Sequence, residues 1–129
     1  MSRDARVGQV GVQATAAELL RAGWEVAVPL VDTGHDLLAY DSDACHCRIQ
    51  VKSYTGKRKQ GLVRLQRTRN RTSVPYEPGE FEVVAVCNID TLEVQFAQMK
   101  SLNTKTSISF RSPHLIDAEG LRVSLLSLD

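Results

Sequence analysis

Residues 29–54 read Pro-Leu-Val-Asp-Thr-Gly-His-Asp-Leu-Leu-Ala-Tyr (Pro29–Tyr40), Asp-Ser-Asp-Ala-Cys (Asp41–Cys45) and His-Cys-Arg-Ile-Gln-Val-Lys-Ser-Tyr (His46–Tyr54). The stretch divides into strand, turn and strand. After the Asp32-Thr33-Gly34 turn, residues 35–40 form one strand and residues 45–54 the next, joined by an acidic five-residue connection, Asp41–Cys45, which is a common hairpin length. That length sets the register: Tyr40 faces His46, Leu38 faces Arg48 and Asp36 faces Gln50. A strand alternates its side chains with a period of two, so His46, Arg48, Gln50 and Lys52 share one face, while Cys47, Ile49 and Val51 share the other. Directly opposed residues lie on the same face. Asp36, Gln50 and Lys52 are therefore expected to cluster.

Upstream, residues 5–22 read as a helix, with Val7, Val10, Ala14, Ala17 and Leu19 or Leu20 at three- and four-residue steps. Asp4 is the expected N-cap, and Gly23 the left-handed residue that stops the helix. Gly8, Gly11 and the alanines make one face thin enough to lie close against a sheet. Trp24 to Leu30 alternates as a strand, with Pro29 marking its end.

Downstream, Gly61 to Gln66 is a further strand, and Arg67 to Gly79, rich in turn formers, a long loop. Phe81 to Cys87 is the most apolar strand and the expected centre of a sheet. Leu92 to Ala97 is the last clear strand. Ser101 to Ser112, rich in Ser and Thr, is open between an extended arm, a short strand over Ser107 to Arg111, or both, and Leu115 to Leu128 is open between helix and strand. The expectation is a single α/β domain over residues 1–129, with a core in 1–99 and a C-terminal extension in 100–129. In it a mixed sheet carries the N-terminal helix.

The 129 residues carry a net charge of +1, so bulk composition does not single out a nucleic-acid binder. The distribution is more informative. Between Ala44 and Tyr76 there is no acidic residue, whereas Arg48, Lys52, Lys57, Arg58, Lys59, Arg64, Arg67, Arg69 and Arg71 all fall there. Such a run is often a solvated loop. Here it directly follows the Asp36, Gln50 and Lys52 cluster, where contacts to a phosphate backbone would be useful. Cys45, Cys47 and Cys87 are an odd number with no secretory signal ahead of them, so reduced thiols and a cytoplasmic location are expected, with no membrane segment. Cys45-His46-Cys47 has unsuitable spacing for structural zinc.

Asp36, the Gln50 side-chain carbonyl and the Val51 backbone carbonyl are oxygen donors suited to a hard divalent cation, and Lys52 adds a positive charge on the same face. In the order helix, Asp-bearing hairpin, then Gln50-Val51-Lys52, the chain resembles the PD-(D/E)XK nuclease superfamily. It is most similar to the small Holliday-junction-resolvase-like and intron-encoded homing endonucleases. The resemblance covers the first half of the chain and, more weakly, Phe81 to Ala97. It implies a restriction-endonuclease-like core and a magnesium- or manganese-dependent endonuclease acting on duplex or branched DNA. Asp36, Gln50 and Lys52 would be catalytic, and Asp36, Gln50 and Val51 would hold the metal. Lys57, Arg58, Lys59, Arg64, Arg67, Arg69 and Arg71 would hold DNA, in a homodimer or higher homo-oligomer. Two positions depart from the family pattern. Gln50 stands where Glu is usual, and Val12 where many members carry a helix Glu that aids metal binding. Glu18, two turns on, is a poor substitute, and Asp32 or a second subunit are the remaining sources of negative charge. A nuclease-fold module that binds DNA or a partner without cutting is the alternative.

Overall fold

A computed structural model describes residues 2–31, 34–41, 45–55, 62–69, 72–76, 79–102, 107–109 and 112–126, with the backbone alone at 62, 67–69, 73 and 75. The first helix, α1 (Arg3–Arg21), begins earlier than its apolar spacing suggests. Its N-cap is Ser2, whose Oγ accepts the Ala5 N–H at 3.1 Å. Asp4, the expected cap, lies instead in the first turn, where its charge suits the positive end of the helix. At the other end, the Gly23 N–H returns to the Leu20 carbonyl and the Trp24 N–H to the Leu19 carbonyl, both at 3.0 Å. This is a Schellman closure with Gly23 at φ +94°.

The strands are β1 (Glu25–Ala27), β2 (Leu37–Tyr40), β3 (His46–Tyr54), β4 (Leu62–Arg64), β5 (Gln66–Arg69), β6 (Thr72–Pro75), β7 (Val83–Asn88), β8 (Val94–Gln98) and β9 (Ser107–Ser109). They are accompanied by α2 (Met99–Leu102) and α3 (Ala118–Leu126). The main sheet has the order β1-β2-β3-β7-β8, while β4 pairs with β9 and β5 with β6 in two small sheets. Only the β3–β7 pair is parallel within the main sheet, which makes it mixed. The β2–β3 register is the one that hairpin length predicts: Tyr40 opposes His46 and Leu38 opposes Arg48.

Two expectations need correction. The first strand is only three residues long, because Pro29 interrupts the ladder; Val28, Leu30 and Val31 are exposed rather than alternating. Arg67 to Gly79 is not one long loop, since β5 and β6 form an antiparallel hairpin with Gln66 opposite Pro75 and Arg69 opposite Thr72. Its turn-forming residues carry no periodic signal, and cross-strand pairing overrides their local preference. The segment beyond Met99 packs onto the sheet. Leu102, Ile108, Ala118 and Leu121 are buried, and Ile116 and Phe96 exchange backbone hydrogen bonds at 2.7 and 2.8 Å.

The sheet separates two cores. On one side Leu37, Ala39, Cys47, Ile49, Val51, Val83, Ala85 and Phe96 pack with Leu19 and Trp24 and with Ala118 and Leu121 of α3. On the other, Val84, Val86 and Ala97 pack with Val63, Leu65, Phe81, Leu102 and Ile108. β7 thus feeds both cores, which explains its unbroken Val-Val-Ala-Val-Cys run. Trp24 fastens α3 to the first core: its Nε1 donates to the Ala118 carbonyl at 3.2 Å. Arg122 stacks over its ring at 5.5 Å and donates through Nη2 to the Ala22 carbonyl at 2.7 Å. The Arg122 Nε also lies 3.6 Å from Asp41 Oδ2, linking α3 to the β2–β3 turn.

α1 crosses β3 at Gly11, where a Cβ would stand 1.9 Å from Ser53 Oγ and 3.2 Å from Ser53 Cβ. At Gly23 a Cβ would meet Arg122 Nη2 at 2.9 Å in a backbone conformation that L-residues resist. Gly11→Ala and Gly23→Ala are each expected to destabilise the chain by about 1–3 kcal/mol. Gly8→Ala, with nothing within 4 Å of its Cβ, serves as the control. Urea denaturation of the three variants checks this.

Candidate active site

Asp36 lies one residue before β2, at the place where the β2–β3 ladder runs out. Its backbone N–H donates to the Ile49 carbonyl at 2.8 Å, and its Oδ2 accepts the Val51 N–H at 2.8 Å. The carboxylate thus takes over a β3 donor beyond the last β2 pair. A hydrogen bond to an ionised acceptor is stronger than a neutral ladder bond, and here it fixes the carboxylate against β3. The last β2–β3 pair is Leu37 with Ile49, so Asp36 stands where the ladder ends, with its carboxylate on the backbone N–H that lies between Gln50 and Lys52 in sequence.

Burial along β3 follows the predicted period. Cys47, Ile49 and Val51 are buried, whereas Arg48, Gln50 and Lys52 are half-buried on the opposite face. In the parallel pairing, Gln50 adjoins Val84 and Lys52 adjoins Val86, so both rise from an apolar floor. The Lys52 ammonium donates to the Gln66 carbonyl at 3.2 Å and sits 4.8 Å from the centroid of the Tyr76 ring. Cys47 faces the α1 side; burial, then Cys45 and Glu82, pushes its thiol up to about 12, so it packs as a neutral side chain.

Arg48 belongs to the basic run by sequence, yet its charge is engaged within the fold. Its Nε donates to both Glu82 carboxylate oxygens, at 3.2 and 3.0 Å, and its Nη2 donates to Oε2. Glu82 Oε1 also accepts the Arg48 backbone N–H at 2.8 Å, and the Glu82 N–H returns to the Arg48 carbonyl at 3.1 Å. This closes the mouth of the parallel β3–β7 pair. Sequence reading had no signal for it, because the partners are 34 residues apart.

Neither α1 position near β3 supplies a carboxylate. Val12 packs into the α1-side core, and Gly11 approaches β3 too closely for any side chain to project. Glu18 pairs with Arg21 at 3.5 Å. Asp32 lies outside the described residues. Glu80, unmarked by the sequence, brings a carboxylate against the Gly34 backbone two residues from Asp36: a Cβ at Gly34 would stand 2.9 Å from Glu80 Oε1. Among the described residues no group of three or more His, Cys, Asp or Glu is placed to hold a metal. The Asp36 carboxylate and the Gln50 side-chain amide are oxygen donors, a type that fits a hard divalent cation that keeps several waters.

Of the basic residues expected to meet DNA, Arg64 is exposed on β4, and Arg67 and Arg69 occupy alternate positions on β5. Lys57, Arg58, Lys59 and Arg71 lie outside the described residues. No helix of the described chain is long and apolar enough to cross a membrane.

The profile of the PD-(D/E)XK endonuclease family matches residues 3–114, and the chain belongs to that family, whose members typically use divalent metal ions. Among solved structures, a bacterial homing endonuclease, I-Ssp6803I, superposes with a TM-score of 0.77 at 23% sequence identity, covering 97% of this chain and 95% of that one. The two share a fold. No curated protein matches the sequence.

The Arg48–Glu82 pair makes stability depend on pH. Burial raises the Glu82 carboxyl, but hydrogen bonds and charge from Arg48 outweigh it and hold the group below its ordinary value of 4.5. A depressed carboxylate stabilises the fold above its unfolded value, and that contribution is lost as pH falls through the folded one. Glu82→Gln is expected to lower the thermal midpoint by a few degrees at pH 7, the pair being part-exposed and screened. The gap between variant and wild type should narrow as pH falls below 4.5 and through the lower folded value. Thermal melts of both proteins across this range test the expectation.

Proposed function

We propose that the chain is a single-domain, divalent-metal-dependent endodeoxyribonuclease that hydrolyses phosphodiester bonds of duplex or branched DNA. The observation that carries the reading is the Asp36 carboxylate anchored at the end of the β2–β3 ladder by the Val51 N–H at 2.8 Å, on the backbone between Gln50 and Lys52.

Asp36 and Gln50, with the Val51 carbonyl, would hold magnesium or manganese. When bound, the ion supplies positive charge at the scissile phosphate and acidifies water. The chain's own residues supply the rest. The Val51 N–H orients the Asp36 carboxylate. Gln50 contributes a neutral oxygen, so the site carries less negative charge than a Glu would give it and binds metal more weakly. The Lys52 ammonium balances negative charge that grows on the phosphate oxygens as the bond breaks. Its apolar floor of Val84 and Val86 lowers the local dielectric and strengthens that interaction.

Lys57, Arg58, Lys59, Arg64, Arg67, Arg69 and Arg71 would grip the DNA backbone, giving affinity that falls steeply with salt. One such chain covers little DNA, and a symmetric homodimer or higher homo-oligomer would put one site on each strand. A cytoplasmic location accords with three cysteines of which none is in a disulfide.

Supercoiled, branched and linear DNA incubated with the protein in magnesium or manganese tests the reading. Asp36→Ala and Lys52→Ala are expected to slow cleavage by roughly 100-fold or more while leaving salt-sensitive DNA binding in place. Gln50→Glu should keep cleavage and lower the metal concentration needed for half-maximal rate. The missing helix carboxylate at Gly11 and Val12 favours a second reading, a binding module of nuclease fold. DNA binding with no cutting under any of these conditions, unaltered by all three substitutions, would establish that instead.

A further inference from the structure

Lys52 is held from two sides by one hairpin. Its Nζ donates to the carbonyl of Gln66, the first residue of β5, at 3.2 Å, and lies 4.8 Å from the centroid of the Tyr76 ring, immediately after β6. Gln66 opposes Pro75 at the base of that hairpin, so carbonyl and ring come from its two strands at the same level. Tyr76 is itself braced. Its ring meets Phe81 edge to face, with centroids 4.8 Å apart and planes at 80°, and Phe81 is buried in the second core.

The chemistry of these partners suits a cation that must later face a phosphate. The face of an aromatic ring attracts an ammonium through its quadrupole without bringing a countercharge. The Tyr76 ring and the Gln66 carbonyl are two contacts that hold the ammonium without themselves adding a negative charge. The strand that begins at Gln66 continues into Arg67 and Arg69, so the element that steadies Lys52 is also one proposed to contact DNA.

We propose that Tyr76 is the positioning residue for Lys52, fixing its ammonium on the β3 face it shares with Gln50 and tying its placement to the β5–β6 hairpin. This rests on the nuclease reading above.

The test uses the full chain as wild type, Tyr76→Phe and Tyr76→Leu. Single-turnover cleavage, DNA affinity without divalent metal, and the NMR signals of the Lys52 ε-methylene, identified by their loss in Lys52→Arg, are measured on each. Ring current should displace the Lys52 signal upfield in wild type and in Tyr76→Phe, and the displacement should vanish in Tyr76→Leu. Cleavage by Tyr76→Leu should fall on the order of 10- to 100-fold with DNA affinity kept within about twofold, and Tyr76→Phe should restore the rate to within about threefold. Wild-type cleavage by Tyr76→Leu, or a Tyr76→Phe variant as slow as Tyr76→Leu, overturns the positioning role and leaves the nuclease reading intact. Should Tyr76→Leu fail to fold, the wild-type spectrum decides: an undisplaced Lys52 signal overturns the inference, and a displaced one together with an active Tyr76→Phe supports it. A wild-type chain that cuts none of the DNA forms in either metal overturns the nuclease reading and, with it, this one.

Discussion

β3 has to satisfy two neighbours and two cores at once, and the architecture follows from that constraint. It pairs antiparallel with β2 and parallel with β7, and each of its residues faces either α1 or the site. Cys47, Ile49 and Val51 seal the first core, so Arg48, Gln50 and Lys52 are left on the other face by the pleat alone. A slip of one residue would bury the amide and the ammonium and expose the core. The register that makes the fold stable therefore also assembles the candidate site.

The two ends of the site face are fixed differently. At the β2 end, the ladder stops and the Asp36 carboxylate takes the Val51 N–H, which turns an unfinished sheet edge into a rigid carboxylate mount. At the β7 end, Arg48 and Glu82 exchange side-chain and backbone hydrogen bonds where the parallel strands begin. One acid of the region is thus committed to an ion pair that supports the fold, and one member of the basic run is neutralised. Counting charges along the chain overstates both the cations and the anions on offer at this face.

Negative charge is scarce for a geometric reason as well. α1 lies so close to β3 at Gly11 that no side chain can emerge between them. Val12 packs into the first core, on the sheet face opposite Gln50 and Lys52, and brings no charge there. Within the described residues, the Asp36 carboxylate is held on the Val51 N–H, Glu80 Oε1 lies close to Gly34, and the Lys52 ammonium is held by Gln66 and Tyr76.

The sequence by itself determined the α1 helix and its Gly23 stop, the β2–β3 hairpin and its register, the interior placement of β7, and the shared face of Gln50 and Lys52. All of these rest on local periodicity or on a short connection, and such signals are written in consecutive residues. Tertiary structure decided what depends on distant partners: the β5–β6 hairpin, whose residues lack periodicity until they pair; α3, whose loose apolar spacing resolves only against Trp24 and Phe96; the engagement of Arg48 by Glu82; and the seating of Lys52 between Gln66 and Tyr76. A helix face or a strand face is fixed by backbone geometry, whereas the partner of a long side chain is fixed by whichever remote segment folding brings within its reach.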